Sequence, residues 1–181
     1  MLKKITPSAF TKLPTVDGRR QCPFGDYSLI SFFADSCDFA AGCVFAAKTS
    51  FAEGCAFGRT CVFGDQCDFA SRCRFSDDCS FGDGSEFGGA CVFGHHSKFG
   101  SNTEFGAHTK IGNHSTFDSG CLISSSSEVG SSCSFGPRLV AECDCAFGEA
   151  CFFAEDSVFY MRCTFGPRST FGVSNRFHGS N

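Results

Sequence analysis

The segment 61–94 reads CVFGDQCDFASRCRFSDDCSFGDGSEFGGACVFG. It has a phenylalanine at every sixth position, usually with a cysteine two residues earlier. The same register runs from Phe33 to Phe177, where phenylalanine fills 21 of 25 positions and the other four are also apolar: Ile111, Ile123, Val129 and Ala141. Two residues before these positions, cysteine fills 13 sites and Ser or Thr fills ten more. A fixed period of this length predicts a repeat architecture whose units stack on their neighbours.

Each six-residue unit divides into a short strand and a corner. In Cys-x-Phe the first and third side chains share one face of a strand, while the middle side chain points outward. Gly or Ala follows the register position at 19 of 25 sites, and variable residues come next. A small residue there lets the chain bend at little steric cost. One unit cannot bury its own phenylalanine, so stacking is expected to be obligatory.

The pattern Phe-Gly-x-x-Cys-x resembles the hexapeptide repeat of left-handed parallel β-helix proteins, and the resemblance covers residues 22–181. The family usually has Leu, Ile or Val where this chain has Phe. The resemblance implies an all-β, single-domain solenoid with left-handed, triangular coils of three hexapeptides each, hence about eight to nine coils. At about 4.8 Å for each strand layer, the rod would be about 40 Å long.

The register breaks near the start of the chain, which predicts an N-terminal cap over residues 1–21 and the hexapeptide-repeat β-helix over 22–181. The cap is expected to cover the open strand edge with four apolar residues: Ile5, Phe10, Leu13 and Val16. Phe24 and Ile30 lie three residues out of phase with Phe33, so we expect an irregular first coil over 22–32. No C-terminal cap is recognisable after Phe177.

The chain contains 15 cysteines, and 13 of them occupy the inward site at which Ser or Thr also occurs. This exchange predicts free, buried thiols in a reducing cytoplasm, with disulfides inside a column as the alternative. Cys37, Cys55, Cys73 and Cys91 are expected to form one such column. No CxxC pair is present, so no structural zinc is expected. No cofactor is expected either, and no apolar run is long enough to cross a membrane.

Steps of three hexapeptides through the outward strand positions define three faces. Face 1 reads Ser50, Asp68, Glu86, Glu104, Leu122, Val140, Val158, Arg176. Face 2 reads Asp38, Ala56, Arg74, Val92, Lys110, Glu128, Ala146, Thr164. Face 3 reads Val44, Val62, Ser80, Lys98, Thr116, Ser134, Phe152, Thr170. Face 1 therefore changes from an acidic half to an apolar half.

Negative charge is concentrated in the middle of the chain, since residues 22–157 carry 18 acidic and seven basic residues. We define the acidic surface as Asp68, Glu86 and Glu104 of face 1 with Asp65 and Asp83 of the adjoining corner. It is either a solubilising surface or a binding surface for a basic protein. Imitation of DNA would be partial. Residues 22–157 carry a net charge of −11, whereas about 40 Å of duplex carries on the order of 24 negative charges. Direct nucleic-acid binding is not expected.

Histidines give an enzymatic alternative. The segments GHHS (94–97) and GAHTKIGNHSTF (106–117) contain His95, His96, His108 and His114. They resemble acyltransferases of this fold, in which a histidine beside a subunit interface deprotonates an acceptor hydroxyl. A metal site would also want histidines across an interface. Because no repeat after residue 33 is interrupted, no loop is left to build an acceptor pocket, and we expect these residues to be solvated turn residues.

The apolar half of face 1 predicts self-association. We define the apolar patch as Leu122, Val140 and Val158 with Tyr160 and Met161 of the next corner. A contiguous patch of this kind marks interfaces, and a two-fold dimer is the commonest arrangement, although trimers recur among the proteins that this chain resembles. The sequence thus predicts a homo-oligomeric, non-enzymatic binding protein, with a phage-type host-interference protein as one form.

Overall fold

The repeat forms a parallel solenoid with three sheets. The computed structural model describes residues 2–34 and 36–179; Met1, Asp35 and the last two residues of the predicted repeat, Ser180 and Asn181, lie outside the described residues. Within the repeat, neighbouring strands of a sheet are parallel and three hexapeptides apart, as in Phe75 with Phe93. Three hexapeptides therefore make one coil. The sheets have ten, eight and nine strands, so the prediction of an all-β, single-domain solenoid of about nine turns is confirmed. The left-handed sense stays a prediction.

From Val44 onward each strand has two residues, of which the first points outward and the second inward. On face 1 the strands are Phe32–Phe33, Ser50–Phe51, Asp68–Phe69, Glu86–Phe87, Glu104–Phe105, Leu122–Ile123, Val140–Ala141, Val158–Phe159 and Arg176–Phe177. On face 2 they are Thr15–Val16, Arg19–Cys22, Cys37–Phe39, Ala56–Phe57, Arg74–Phe75, Val92–Phe93, Lys110–Ile111, Glu128–Val129, Ala146–Phe147 and Thr164–Phe165. On face 3 they are Val44–Phe45, Val62–Phe63, Ser80–Phe81, Lys98–Phe99, Thr116–Phe117, Ser134–Phe135, Phe152–Phe153 and Thr170–Phe171.

The core is a column of phenylalanine rings. Phe69 stacks on Phe51 and Phe87 at centroid distances of 4.7 and 4.8 Å. It meets the edges of Phe63 and Phe75 at 5.0 and 5.1 Å. Both geometries are favourable, and each adds about 0.5–1.5 kcal/mol beyond the burial of area. The six-residue period thus places Phe69 in contact with rings of its own face and of the other two faces, and aliphatic side chains take the place of a ring at Ile111, Ile123, Val129 and Ala141.

One coil exchanges the large and the small inward residue. Where the repeat has Cys-x-Phe, residues 139–141 have Leu139 and Ala141, and both side chains are buried. Leu139 is therefore large where the repeat is small, and Ala141 is small where the repeat is large. This exchange keeps the interior filled, as close packing requires.

The corners turn through a left-handed residue three positions after the inward ring. Lys48 has φ of 58° and Thr60 has the same value, and the residue at this position has a positive φ in every corner from Ser36 to Ser174. The small residue directly after the ring has another function. A Cβ added to Gly58 would lie 2.4 Å from the backbone nitrogen of Ala41 in the coil beneath. The repeat needs small residues there because adjacent coils approach closely, which corrects the bending role expected from the sequence.

The N-terminal segment contacts the first ring of the repeat. It contains the helix Pro7–Phe10 and a hairpin of the strands Thr15–Val16 and Arg19–Cys22. The ring of Phe10 meets that of Phe33 edge-on at 5.2 Å. Val16 is 53% exposed, so its predicted part in covering the core is wrong. The strand Arg19–Cys22 pairs with Cys37–Phe39 and so runs across the predicted boundary between residues 21 and 22.

The first coil contains a register residue that the sequence analysis missed. Tyr27 lies one hexapeptide before Phe33, is fully buried and stacks on Phe45 at 5.5 Å. Its hydroxyl donates a hydrogen bond of 2.6 Å to the carbonyl of Pro23. Phe24, which looked like a break in the pattern, is 57% exposed. The repeat therefore begins one unit earlier than the phenylalanines indicate.

The 15 cysteines are free thiols, of which 14 are buried and Cys143 is half-buried. Thiols one coil apart contact each other in the predicted column, as Cys37 and Cys55 do. Many also donate to a carbonyl of the coil beneath, such as Cys61 to Ala40 at 3.5 Å. Burial raises the pKa of the Cys121 thiol to about 11, which keeps it neutral at pH 7. Among the described residues, no helix is long and apolar enough to cross a membrane.

Candidate protein-binding surface

Three carboxylates of face 1 lie on consecutive, directly paired strands. The register places Asp68 beside Glu86 and Glu86 beside Glu104. All three side chains are exposed. Adjacent strands lie about 4.8 Å apart, so the three charges form a column about 10 Å long. The stacking predicted from the steps of three hexapeptides is therefore present.

Charged residues stack differently elsewhere in the described part of the chain. The ion pairs join opposite charges on neighbouring coils: Arg19–Asp38, Arg59–Asp77, Arg72–Glu53, Lys110–Glu128, Arg162–Asp144 and Arg168–Glu149. On face 2, Lys110 Nζ lies 2.9 Å from a carboxylate oxygen of Glu128. Asp68, Glu86 and Glu104 form no ion pair within residues 2–34 and 36–179. Their stacking differs from these ion pairs and is shared by Asp65 and Asp83 of the adjoining corner, which also lie one coil apart.

The two corner carboxylates of the acidic surface also join successive coils. Asp65 Oδ1 accepts a hydrogen bond of 3.1 Å from the backbone N–H of Asp83. Asp83 Oδ1 accepts one of 2.7 Å from the backbone N–H of Ser101. Asp77 does the same for His95 at 2.9 Å, and this bond holds the pKa of Asp77 below its usual range. Asp65 and Asp83 thus stabilise the corner while adding negative charge beside face 1.

A shallow groove of about 370 Å³ runs along the carboxylate column. Its lining combines Asp68, Glu86 and Glu104 with small residues of the neighbouring corner, among them Ala70, Ser71, Gly88 and Gly106. The small residues leave the carboxylates open to a partner that approaches from the side. Carboxylates so exposed can accept charge-assisted hydrogen bonds from lysine or arginine. The sequence identifies Ala70, Gly88 and Gly106 as corner residues one coil apart, but their part in lining a groove becomes visible only in the structure.

The apolar patch continues the same sheet above the carboxylates. Leu122 pairs with Val140, and Val140 pairs with Val158. These three side chains are half-buried, whereas Tyr160 and Met161 at the next corner are 43% and 51% exposed. The structure therefore brings the five predicted self-association residues together at one end of face 1.

The histidines lie in the corners between strands. The rings of His96 and His114, which are one coil apart, stack at a centroid distance of 5.0 Å. His96, His108 and His114 have φ between 58° and 60°, a region in which histidine is several-fold enriched. His95 Nδ1 accepts a hydrogen bond of 2.9 Å from the backbone N–H of Asn113. No group of three or more His, Cys, Asp or Glu residues in the described part of the chain could hold a metal ion.

Comparisons with family models, curated proteins and solved structures found no match for this chain. The likeness to hexapeptide-repeat proteins consequently remains a likeness of repeat pattern, and the solenoid is established by the strand register alone.

Proposed function

We propose that the protein is a non-enzymatic binding protein that presents its acidic surface to a basic surface of a protein partner. The observation that supports this function is the column of Asp68, Glu86 and Glu104, in which like charges stack on three paired strands. The proposal includes a reducing compartment such as the cytoplasm, which suits the free buried thiols.

The carboxylate column is less stable than an opposite-charge pair such as Lys110 and Glu128 on face 2. Directly opposed like charges destabilise a sheet by about 0.2–1 kcal/mol for each pair. A lysine in place of Glu86 would turn both repulsive contacts into attractive ones, as Lys110 does beside Glu128. Solubility needs charge but does not need like charges in register, since mixed charges also keep a surface soluble. The column therefore fits a binding surface better than a solubilising one.

The partner chemistry follows from the charge. A surface rich in Lys or Arg would pair with the carboxylates and relieve their mutual repulsion. Such complementarity raises association rates and weakens with added salt. A DNA-binding protein is one candidate partner, since the column would occupy part of its basic surface. A phage-type protein that interferes with a host factor would act in this way.

Reversal of the column tests the proposal. Asp68→Lys, Glu86→Lys and Glu104→Lys in one chain should abolish binding of a Lys/Arg-rich peptide, measured by fluorescence anisotropy at about 0.15 M salt. The matched control is Asp78→Lys, Glu128→Lys and Glu149→Lys, which makes the same change in net charge on face 2 and at the corner between faces 2 and 3. The control should retain binding. If the two triple variants bind the peptide equally well, the column is a solubilising surface and not a binding surface.

The enzymatic alternative has its own experiment. Incubation with acetyl coenzyme A and a panel of hydroxyl and amine acceptors should release no thiol above background, because the four corner histidines are exposed and no loop interrupts the repeat after residue 33 to build an acceptor pocket. If the wild type shows turnover that is lost in His108→Ala or His114→Ala, the protein is an acyltransferase and the proposed binding function is wrong.

A further inference from the structure

Five consecutive outward positions of face 1 form a row with a symmetric composition. The register runs from Glu104 through Leu122, Val140 and Val158 to Arg176. An acidic side chain stands at one end, a basic side chain at the other, and three apolar side chains lie between them. Val140 is the centre of the row. When the row is aligned with a second copy in the reverse direction, each acidic end therefore faces a basic end and the apolar residues face each other.

We propose that this row is the self-association surface, and that two copies of the chain dock with face 1 against face 1 and with antiparallel solenoid axes. The two-fold axis lies in the interface, parallel to the strands, at the height of Val140. Val140 then meets Val140 of the second copy, and Leu122 meets Val158. Glu104 meets Arg176 twice, once on each side of the axis. This arrangement needs no other partner and shares one residue, Glu104, with the acidic surface.

Other alignments of the same two faces leave a charge without a partner. A shift by one coil sets Glu104 against Val158 or sets Arg176 against Leu122, which removes water from a charged group without a counter-charge. A parallel arrangement sets Glu104 against Glu104 and Arg176 against Arg176. Within the described residues neither Glu104 nor Arg176 forms an ion pair, and both side chains are exposed. Only the antiparallel alignment centred on Val140 pairs both charges.

The length of the row sets the strength expected of the contact. Five strands at about 4.8 Å span about 19 Å, so the interface is smaller than the roughly 800 Å² per partner of a standard complex. We expect a dimer that forms reversibly at high protein concentration and weakens with salt. Asp68 and Glu86 lie outside the row and are not covered by it.

A mixing experiment with single charge reversals tests the register. In sedimentation velocity at about 100 µM protein and low salt, Glu104→Arg and Arg176→Glu should each weaken dimerisation at least about 10-fold. An equimolar mixture of the two variants should restore it. In the mixed dimer the two reversed side chains face each other on one side of the axis, and the two native side chains face each other on the other side. The control Glu86→Arg, one coil outside the row, should dimerise as the wild type does.

A cross-link tests the height of the axis. Cys143 is the one described cysteine that is not buried, and it lies in the corner directly after the strand Val140–Ala141. The axis brings the two copies of Cys143 to the same height at one edge of the interface. A short bismaleimide should therefore join two wild-type chains but not two Cys143→Ser chains. Val140→Asp should abolish the cross-link, whereas Val92→Asp on face 2 should not.

Each outcome decides the proposal. A wild-type protein that stays monomeric at about 100 µM overturns it. A dimer that the mixture of charge-reversed variants fails to restore, or that gives no cross-link through Cys143, overturns the antiparallel register. If the acidic surface fails to bind the Lys/Arg-rich peptide, the proposed function fails but the dimer proposal does not, since dimerisation is measured on the protein alone.

Discussion

Replacement of Phe69 by alanine is expected to lower the free energy of unfolding by about 3–5 kcal/mol. The ring is fully buried and stacks between Phe51 and Phe87. Its removal leaves a cavity between two rings that the backbone holds in place, because the coils above and below are fixed by strand pairing. A site that cannot collapse loses both transfer free energy and contacts.

Urea unfolding followed by circular dichroism measures the loss. The matched control is Phe152→Ala, since Phe152 is an outward residue of face 3 and is 47% exposed. The control should lose less than about 1 kcal/mol. Equal losses in the two variants would contradict the division into inward and outward phenylalanines.

The fold was predictable because one period sets every contact. A step of three hexapeptides returns to the same face, so the phenylalanine register alone predicted that Asp68, Glu86 and Glu104 would stack, as they do. Tyr27 was missed because neither its side chain nor Gly25 two residues before it matches Cys-x-Phe. The cap was less predictable, since Phe10 and Val16 are equally apolar and only their position separates the one that contacts Phe33 from the exposed one.

The candidate surface was predictable in its charges and less so in its atomic contacts. The sequence places Asp65 and Asp83 beside face 1, but their hydrogen bonds depend on how closely one corner approaches the next. The groove likewise depends on Gly88 and Gly106, which the sequence explains equally well as corner residues. A partner is harder still to infer, because a flat charged surface specifies a sign of charge rather than a reaction.

The pair Leu139 and Ala141 offers a test of how the interior is filled. Ala141 lies between Ile123 and Phe159 on neighbouring strands, and its side chain and that of Leu139 are buried. Leu139→Cys alone should remove about 2–4 kcal/mol, because the cavity cannot close. Ala141→Phe alone should cost about 1–3 kcal/mol or more, because the ring enters space that Leu139 already occupies.

The double variant restores the Cys-x-Phe of the other coils and should unfold within about 1 kcal/mol of the wild type, since the new ring takes the space that the leucine leaves. The two substitutions would then couple by at least about 2 kcal/mol in a double-mutant cycle measured by urea unfolding. Leu139→Cys combined with Phe69→Ala, nearly four coils away, is the control and should be additive within about 0.5 kcal/mol. If the effects of the Leu139 and Ala141 substitutions are additive, the two residues fill separate spaces. The large Leu139 then does not compensate for the small Ala141.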